Sequence, residues 1–318
     1  MLDKKMKKVI ISGATSMIGV ALIEECIKNN IYVTALSRKN SPNLIRLPKS
    51  KFIDIVECDI NNLENLKNLC SKDYDIFYHF AWEGTTKSER NDIFLQDKNI
   101  TTSITALKMA KELGCHTFVG AGSQAEFGRV DKDKISPETS ANPEIAYGIA
   151  KYSACKLTQI YAKQLGINHI WGRIFSVYGI WDNEGTMINS TIDKLLKKEK
   201  TSFTKAEQIW DYLYSEDAGR AFYLMGLKGK DQSIYCIGSG EGKPLYEYIK
   251  IISEKLSNKL ELGIGEIGYT ENQVMRLCAD ISSLKEDTGF TPKYNFEEGI
   301  AKTLEWKKIY FKSVKENE

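Results

Sequence analysis

Hydrophobic positions in the first half of the chain follow two alternating rhythms. Short β-branched runs at residues 9–12, 31–36, 52–56, 75–80, 117–121 and 169–174 read as strands. Amphipathic stretches at residues 18–29, 63–69, 93–113 and 147–165 fall between them and read as helices. Strands alternating with helices predict an α/β fold, a doubly wound parallel sheet covered on both faces. The unbroken apolar run Val9-Ile10-Ile11 suits a central strand buried on both sides. After about Ile174 the rhythm loosens. Gly, Trp and Tyr become frequent, and helices at residues 187–197 and 246–256 are separated by longer loops. This divides the chain into a large unit over residues 1–175 and a smaller region over 176–318. The last residues, about 311–318, are charged and are expected to fray.

Composition narrows the field. The 318 residues carry a formal net charge of +2, with 42% hydrophobic and 27% charged side chains. No bulk field favours nucleic acid or an anionic membrane. No uncharged apolar run reaches the length of about eighteen residues that a membrane span needs. The basic start Met1–Lys8 and the apolar stretch to Ile23 imitate a secretion signal. A glycine turn divides that stretch, and Glu24-Glu25 follow it without a small-residue cleavage pattern, so a strand–turn–helix unit explains it better. The seven cysteines are odd in number and contain no Cys-x-x-Cys, which points to reduced thiols in the cytoplasm. His79, His116 and His169 show no metal-binding spacing, and no metal site is expected.

The glycine turn Gly13-Ala14-Thr15-Ser16-Met17-Ile18-Gly19 joins the first strand to the first helix. Gly13 permits the tight turn, and Gly19 lets the helix pack on the sheet. Free N–H groups around Met17, Ile18 and Gly19, with Thr15 and Ser16 beside them, are placed to cradle a pyrophosphate. The second strand ends in Ser37-Arg38-Lys39, not in the acidic residue that would bind the ribose hydroxyls of NAD. A carboxylate repels a 2′-phosphate, whereas Arg38 pairs with one and Ser37 donates to it, so NADP is favoured over NAD. Arg38 and Lys39 also fit a bland role as solvated turn charges. Asp59 and Ile60, after the third strand, are candidates for the adenine end; a surface turn is the equal alternative for Asp59.

Tyr147 and Lys151 lie four apart and share a helix face. An ammonium near a phenol favours the phenolate, so Tyr147 is suited to proton transfer with a hydroxyl or carbonyl. Ser123, after the fifth strand, is placed to donate to the same oxygen. The spacing alone proves little, since Tyr152–Lys156 and Tyr246–Lys250 repeat it.

The order of these motifs resembles the extended short-chain dehydrogenase/reductase family, in its nucleotide-sugar epimerase, dehydratase and reductase group. The resemblance takes in the glycine turn, His79-Phe80-Ala81-Trp82, Asn99, Ser123-Gln124-Ala125-Glu126-Phe127-Gly128 and Tyr147-Gly148-x-x-Lys151. It continues through Arg173-Ile174-Phe175-Ser176-Val177-Tyr178-Gly179, Trp210–Asp217, Ile237-Gly238-Ser239-Gly240 and Ala279-Asp280-Ile281-Ser282. It implies a Rossmann domain with a seven-stranded sheet and a smaller C-terminal substrate-binding region, with residues near 210–240 returning to the first domain. It implies Ser123, Tyr147 and Lys151 as the catalytic set, Asn99 supporting Lys151 through water, and Phe80, Ala81 and Trp82 beside the cofactor. It also implies a nucleoside-diphosphate sugar as substrate and a homodimer packed through the helices at 93–113 and 147–165.

Departures from the family pattern choose among reactions. The Asp-Glu pair that eliminates water in the 4,6-dehydratases is replaced by Gln124-Ala125. Arginines that bind the diphosphate in many epimerases are absent at Trp210 and near Thr270, leaving Arg276 or a lysine such as Lys205 to substitute. Phe127 replaces the usual tyrosine, keeping an aromatic wall and losing a hydroxyl. Trp82, Gln124, Trp210 and Arg276, with Ser123, are therefore the substrate-side candidates, and Trp181 is a further aromatic on that side. The favoured expectation is an NADPH-dependent reductase of a 4-keto deoxysugar. A 4-epimerase with tightly held NAD is the alternative, and a non-catalytic dinucleotide sensor stands third, disfavoured by the intact Ser123, Tyr147 and Lys151.

Overall fold

The structure is a computed structural model and describes residues 6–86, 88–257, 259–271 and 273–315. The basic residues 1–5 of the signal-like start and residues 316–318 of the expected fraying tail lie outside them. The first unit runs β1 (Lys8–Ser12), α1 (Met17–Lys28), β2 (Tyr32–Ser37), β3 (Ile53–Glu57), α2 (Leu66–Leu69), β4 (Ile76–His79), α3 (Ile93–Glu112), β5 (Thr117–Ser123), α4 (Ala146–Leu165) and β6 (Asn168–Ile174). There follow β7 (Ser176–Tyr178), α5 (Met187–Leu196), β8 (Thr201–Ser202), β9 (Ile209–Tyr214), α6 (Ser215–Lys228) and β10 (Ile234–Ile237). The chain ends with β11 (Gly242–Pro244), α7 (Leu245–Lys255), β12 (Leu262–Gly263), β13 (Arg276–Leu277), α8 (Ser282–Thr288) and α9 (Phe296–Lys315).

Among the described residues the main sheet has seven strands in the order β10-β6-β5-β4-β1-β2-β3, all parallel. The order reverses between β1 and β4. In such sheets the crevice beyond the carboxyl ends of the strands at that point is where ligands bind. One face is filled by Leu22, Ile23 and Cys26 of α1 with Ala218, Phe222 and Met225 of α6. The other is filled by Ala106, Leu107 and Ala110 of α3 against Phe77 and Phe118. Burying each large aliphatic or aromatic side chain stabilises the fold by about 1.5–3 kcal/mol. Through α6 and β10 the later chain returns to this sheet. The rest forms a smaller layer in which β9 pairs with β7, β11 and β13. Its core gathers Tyr178, Tyr214, Tyr248 and Phe296.

One local expectation changes. Residues 60–65 form a 3-10 turn, kinked at Asn62, and only Leu66–Leu69 is α-helical. Asp59 caps that turn, accepting from the Asn61 N–H at 2.8 Å, which starts the chain in a tighter helix than the apolar spacing implied. The last helix, α9, extends to Lys315, and Ile300 and Leu304 bury one face of its first half.

Candidate active site

The crevice begins at the glycine turn. Gly13 has a φ of +70°, and a Cβ there would stand 2.6 Å from the Ala81 nitrogen. A Cβ on Gly19 would stand 2.4 Å from the Gly13 carbonyl oxygen. No larger residue lets α1 start this close to β1 and β4. Ser16 caps α1: its hydroxyl accepts from the Gly19 N–H at 3.1 Å. One expectation is thereby corrected: the Gly19 N–H is occupied, while the Ser16 O–H keeps its donor proton. The amides of Met17 and Ile18 open the helix and have no partner within it. Thr15, Ser16, Met17 and Ile18 line the crevice.

The crevice consists of two adjoining clefts. One, of about 400 Å³, is lined by Gly13, Thr15, Ser37, Arg38, Ser41, Cys58, Ile60 and Ala81. Asp59 is not among its walls, because its carboxylate turns back to cap the next turn. The other cleft, of about 590 Å³, takes in Arg38, Phe80, Trp82, Arg90, Ser123, Gln124, Tyr147 and Lys151. Trp82 borders both. A glycine turn, a helix N-terminus and a basic β2 end facing one crevice fit a nicotinamide dinucleotide. When bound there, that group supplies or accepts a hydride.

Ser123 ends β5 and is held by Glu126. The Glu126 carboxylate is fully buried and accepts from the Ser123 N–H (2.9 Å), Trp171 Nε1 (3.0 Å) and Arg173 Nε (2.7 Å). The Ser123 hydroxyl accepts from the Ala125 N–H at 3.2 Å. One helical turn separates Tyr147 from Lys151 on α4. Lys151 is buried; its Nζ donates to the Ala121 carbonyl at 2.7 Å and lies 3.7 Å from the Trp82 ring centroid. Burial pulls the Lys151 ammonium down to about 7, against the attraction of Glu126. Burial raises the Tyr147 phenol, while the Arg90 charge and hydrogen bonding to Ser123 pull it down. Trp82 is fixed by donating its indole N–H to Gln96 at 2.9 Å, and its ring meets Tyr147 edge-on at 6.1 Å.

Other expected residues stand elsewhere. Asn99 is buried; it accepts from the Glu83 N–H and donates to the Glu83 and Leu95 carbonyls, so it clamps the loop after β4. Trp210 is not a wall of the crevice: its indole donates to Ser176 at 2.7 Å, and its ring packs against the cluster of Tyr178, Tyr214, Tyr248 and Phe296 and against a second cluster around Phe127, Phe175 and Leu277. Arg276 is drawn away by an ion pair with Asp133 at 2.9 Å. Phe127 is core, 1% exposed beside Phe175, and forms no wall. Arg46, Arg90 and Asp182 line the second cleft without having been expected there. All three sit in connections with no motif. Trp181 also lines it, held at a φ of +67° between Trp306 (4.7 Å) and Arg46 (5.3 Å).

A doubly wound sheet that brings serine, tyrosine and lysine to the crevice beside a glycine turn defines a dinucleotide-dependent enzyme of the short-chain dehydrogenase/reductase type. Residues 9–238 match the model of the NAD dependent epimerase/dehydratase family, and the chain belongs to that family. It is 27% identical over 310 residues to a putative UDP-glucose 4-epimerase of Methanocaldococcus jannaschii, spanning 94% of this chain and 98% of that protein. Its fold matches UDP-glucose 4-epimerase of Thermotoga maritima, solved with UDP-glucose, with a TM-score of 0.86 at 22% identity over 96% of this chain and 99% of that one. It also matches dTDP-glucose 4,6-dehydratase of Bacillus anthracis, solved with NAD, with a TM-score of 0.80 at 20% identity over 95% and 96% of the two chains.

Proposed function

We propose that this enzyme reduces the 4-keto group of a nucleotide-activated deoxysugar, with NADPH as the reductant. The observation that carries the choice of reaction is the surroundings of Ser123. The next two residues, Gln124 and Ala125, have no acid–base chemistry, and the carboxylate that follows, Glu126, is buried against Arg173. Asp182, elsewhere on the cleft, is committed to the start of α5, accepting from the Thr186 hydroxyl (2.7 Å) and the Asn183 N–H (2.8 Å). Elimination of water needs an acid and a base in addition to Tyr147, whereas reduction of a carbonyl needs only the one proton that Tyr147 can supply.

In this reading Tyr147 donates its phenolic proton to the carbonyl oxygen as charge develops there. Ser123 donates a hydrogen bond to the same oxygen. Lys151 binds the nicotinamide ribose, and Trp82 closes the wall beside it. Arg38 and Ser37 hold the 2′-phosphate. A 4-epimerase with retained NAD is the second reading, favoured by the similarity to the Methanocaldococcus protein.

Binding of NADPH and NADH to the purified protein tests the proposal. Reversible binding with at least about tenfold preference for NADPH is expected, and Arg38→Ala should abolish that preference. NAD that stays bound through purification would overturn both the cofactor and the reductase, and put the epimerase first.

Two copies are proposed to pair through α3 and α4. Ile93, Phe94, Ile149 and Ile160 are 71%, 88%, 50% and 57% exposed there, and burying them between two copies would remove that apolar surface from water. Seven unpaired thiols suit a reducing compartment, and the cytoplasm is the proposed location. Among the described residues no helix is long and apolar enough to cross a membrane.

A further inference from the structure

Behind Ser123 lies a carboxylate that takes no part in the proton transfer. Glu126 follows three residues later and is fully buried. One of its oxygens accepts from the Ser123 N–H at 2.9 Å and from Trp171 Nε1 at 3.0 Å. The other accepts from Arg173 Nε at 2.7 Å. From this geometry we propose that Glu126 is a positioning residue that seats Ser123, so that the serine hydroxyl presents its proton to the cleft.

Strand β5 is built to admit this seat. Gly120 and Gly122 lie two apart and share one face of the strand. A Cβ on Gly120 would stand 2.2 Å from the Trp171 ring. One on Gly122 would stand 2.1 Å from Trp171 Nε1 and 2.3 Å from a Glu126 oxygen. The bare strip lets the indole lie across β5 and reach the carboxylate. Arg173 comes from the neighbouring strand, where it is opposite Gly122 in the β5–β6 register. Its guanidinium is buried, lies 4.4 Å from the Phe127 ring centroid and donates to the Pro137 carbonyl at 3.3 Å. None of Glu126, Trp171 and Arg173 lines either cleft, so the seat is independent of what the clefts hold.

The seat sets which way Ser123 faces. Its backbone is extended, with φ −147° and ψ 150°, where it caps the turn Gln124–Glu126. The hydroxyl oxygen accepts from the Ala125 N–H at 3.2 Å, which leaves the hydroxyl proton for a partner in the cleft. The same turn meets α4 beside Tyr147: a Cβ on Gly148 would stand 2.3 Å from the Ala125 carbonyl oxygen. One short turn, pinned at its end by Glu126, thus spaces the serine from the helix that carries the tyrosine. A leucine at this position would leave the N–H groups of Ser123 and Trp171 without an acceptor. A buried ion pair contributes little net stability, and this one imposes a geometry.

The proposal rests on Ser123 as a donor to the substrate oxygen, but one arm of its test needs no turnover. Two variants of the full-length protein are compared. Glu126→Gln keeps an acceptor for the Ser123 N–H. The double variant Glu126→Leu with Arg173→Leu removes both charges together, so that no buried ion is left unpaired. Hydrogen exchange over residues 120–127, read by mass spectrometry, should lose about tenfold in protection in the double variant and less in Glu126→Gln. NADPH consumption with a 4-keto nucleotide sugar is the second arm. The double variant should lower kcat about tenfold, with KM within about twofold of the wild type, and Glu126→Gln should retain more of it. In a Ser123→Ala background the same double change should alter kcat by less than about twofold. Glu126→Gln carries the same comparisons at smaller amplitude if the double variant does not fold. Unchanged protection, an unchanged kcat, or a kcat loss that persists undiminished in the Ser123→Ala background overturns the proposal. A protein that shows the loss of protection yet turns over no nucleotide sugar would refute the proposed reaction and leave the seat of Ser123 standing.

Discussion

The two halves of the molecule hold their buried ionisable groups in different ways. In the sheet half two histidines are kept neutral, and the buried Glu126 carboxylate is held by the side chains of Trp171 and Arg173 as well as by the Ser123 N–H. His79 lies between the hydroxyls of Ser12 (2.7 Å) and Ser103 (3.3 Å), and burial, with the nearby Lys151 charge, pulls it down to about 3. His169 stacks between Phe118 and Trp171, and burial pulls it down to about 4. In the C-terminal half two buried carboxylates collect backbone N–H groups from loops. Asp211 accepts from the N–H groups of Ser239, Gly240 and Ala279 and from the Ser239 hydroxyl. Asp217 accepts from the N–H groups of Lys293 and Tyr294. The difference follows from how each half satisfies its backbone. Long parallel strands pair most of their own N–H groups, so the buried Glu126 of the sheet half is answered chiefly by side chains, Arg173 and Trp171. Short strands and long loops leave N–H groups without a ladder, and buried carboxylates collect them.

Removing a collector should therefore do the most damage. Asp211→Ala leaves three buried N–H groups and a hydroxyl without their acceptor, and should cost about 3 kcal/mol. Urea unfolding followed by tryptophan fluorescence measures it. A cost below about 1 kcal/mol would mean that packing of Tyr212, Tyr248 and Phe296 holds these loops, and the contrast between the halves would fail.

The same contrast explains what the sequence discloses. The helix read at 93–113 is observed as Ile93–Glu112 and that at 147–165 as Ala146–Leu165, because one buried stripe sets both the periodicity and the packing. The glycine turn was visible because sterics leave no other residue type at Gly13 and Gly19. Arg90 was not visible. Its place over Tyr147 depends on Asn91 meeting Ala146 fifty-five positions away, and no local pattern encodes such a contact. Trp210 shows the converse. Its motif position was legible, but the bond to Ser176 that holds its indole outside the crevice walls is tertiary.

Acid should pull the two halves in opposite directions. His79 holds its neutral form in the folded chain far below the 6.5 of an exposed imidazole. The unfolded chain takes up a proton first, so stability falls as pH drops below about 6.5 and keeps falling toward 3. His79→Gln removes that titration. Its stability, measured by urea unfolding from neutral pH downward, should decline less steeply than the wild type by about 1.4 kcal/mol per pH unit. Parallel slopes would show that His79 already accepts a proton in the folded state.

Asp182 supplies the opposite sign and the smallest effect. Burial raises its carboxyl from 3.8 to about 6, against the bonds from Thr186 and Asn183. Here the folded chain takes up the proton first. Its contribution is most favourable below about 3.8, declines as pH rises, and is fully lost above about 6. Asp182→Asn keeps an acceptor for the Thr186 hydroxyl and removes the titration. The variant should gain on the wild type between pH 4 and 6 by about 1–2 kcal/mol, less than the full linkage because the side chain is partly solvated. A variant that instead loses ground over this window would show that the Asp182 charge is stabilised in the fold. The carboxylates of the C-terminal half would then be held as anions throughout, and its acid response would run with that of the sheet half.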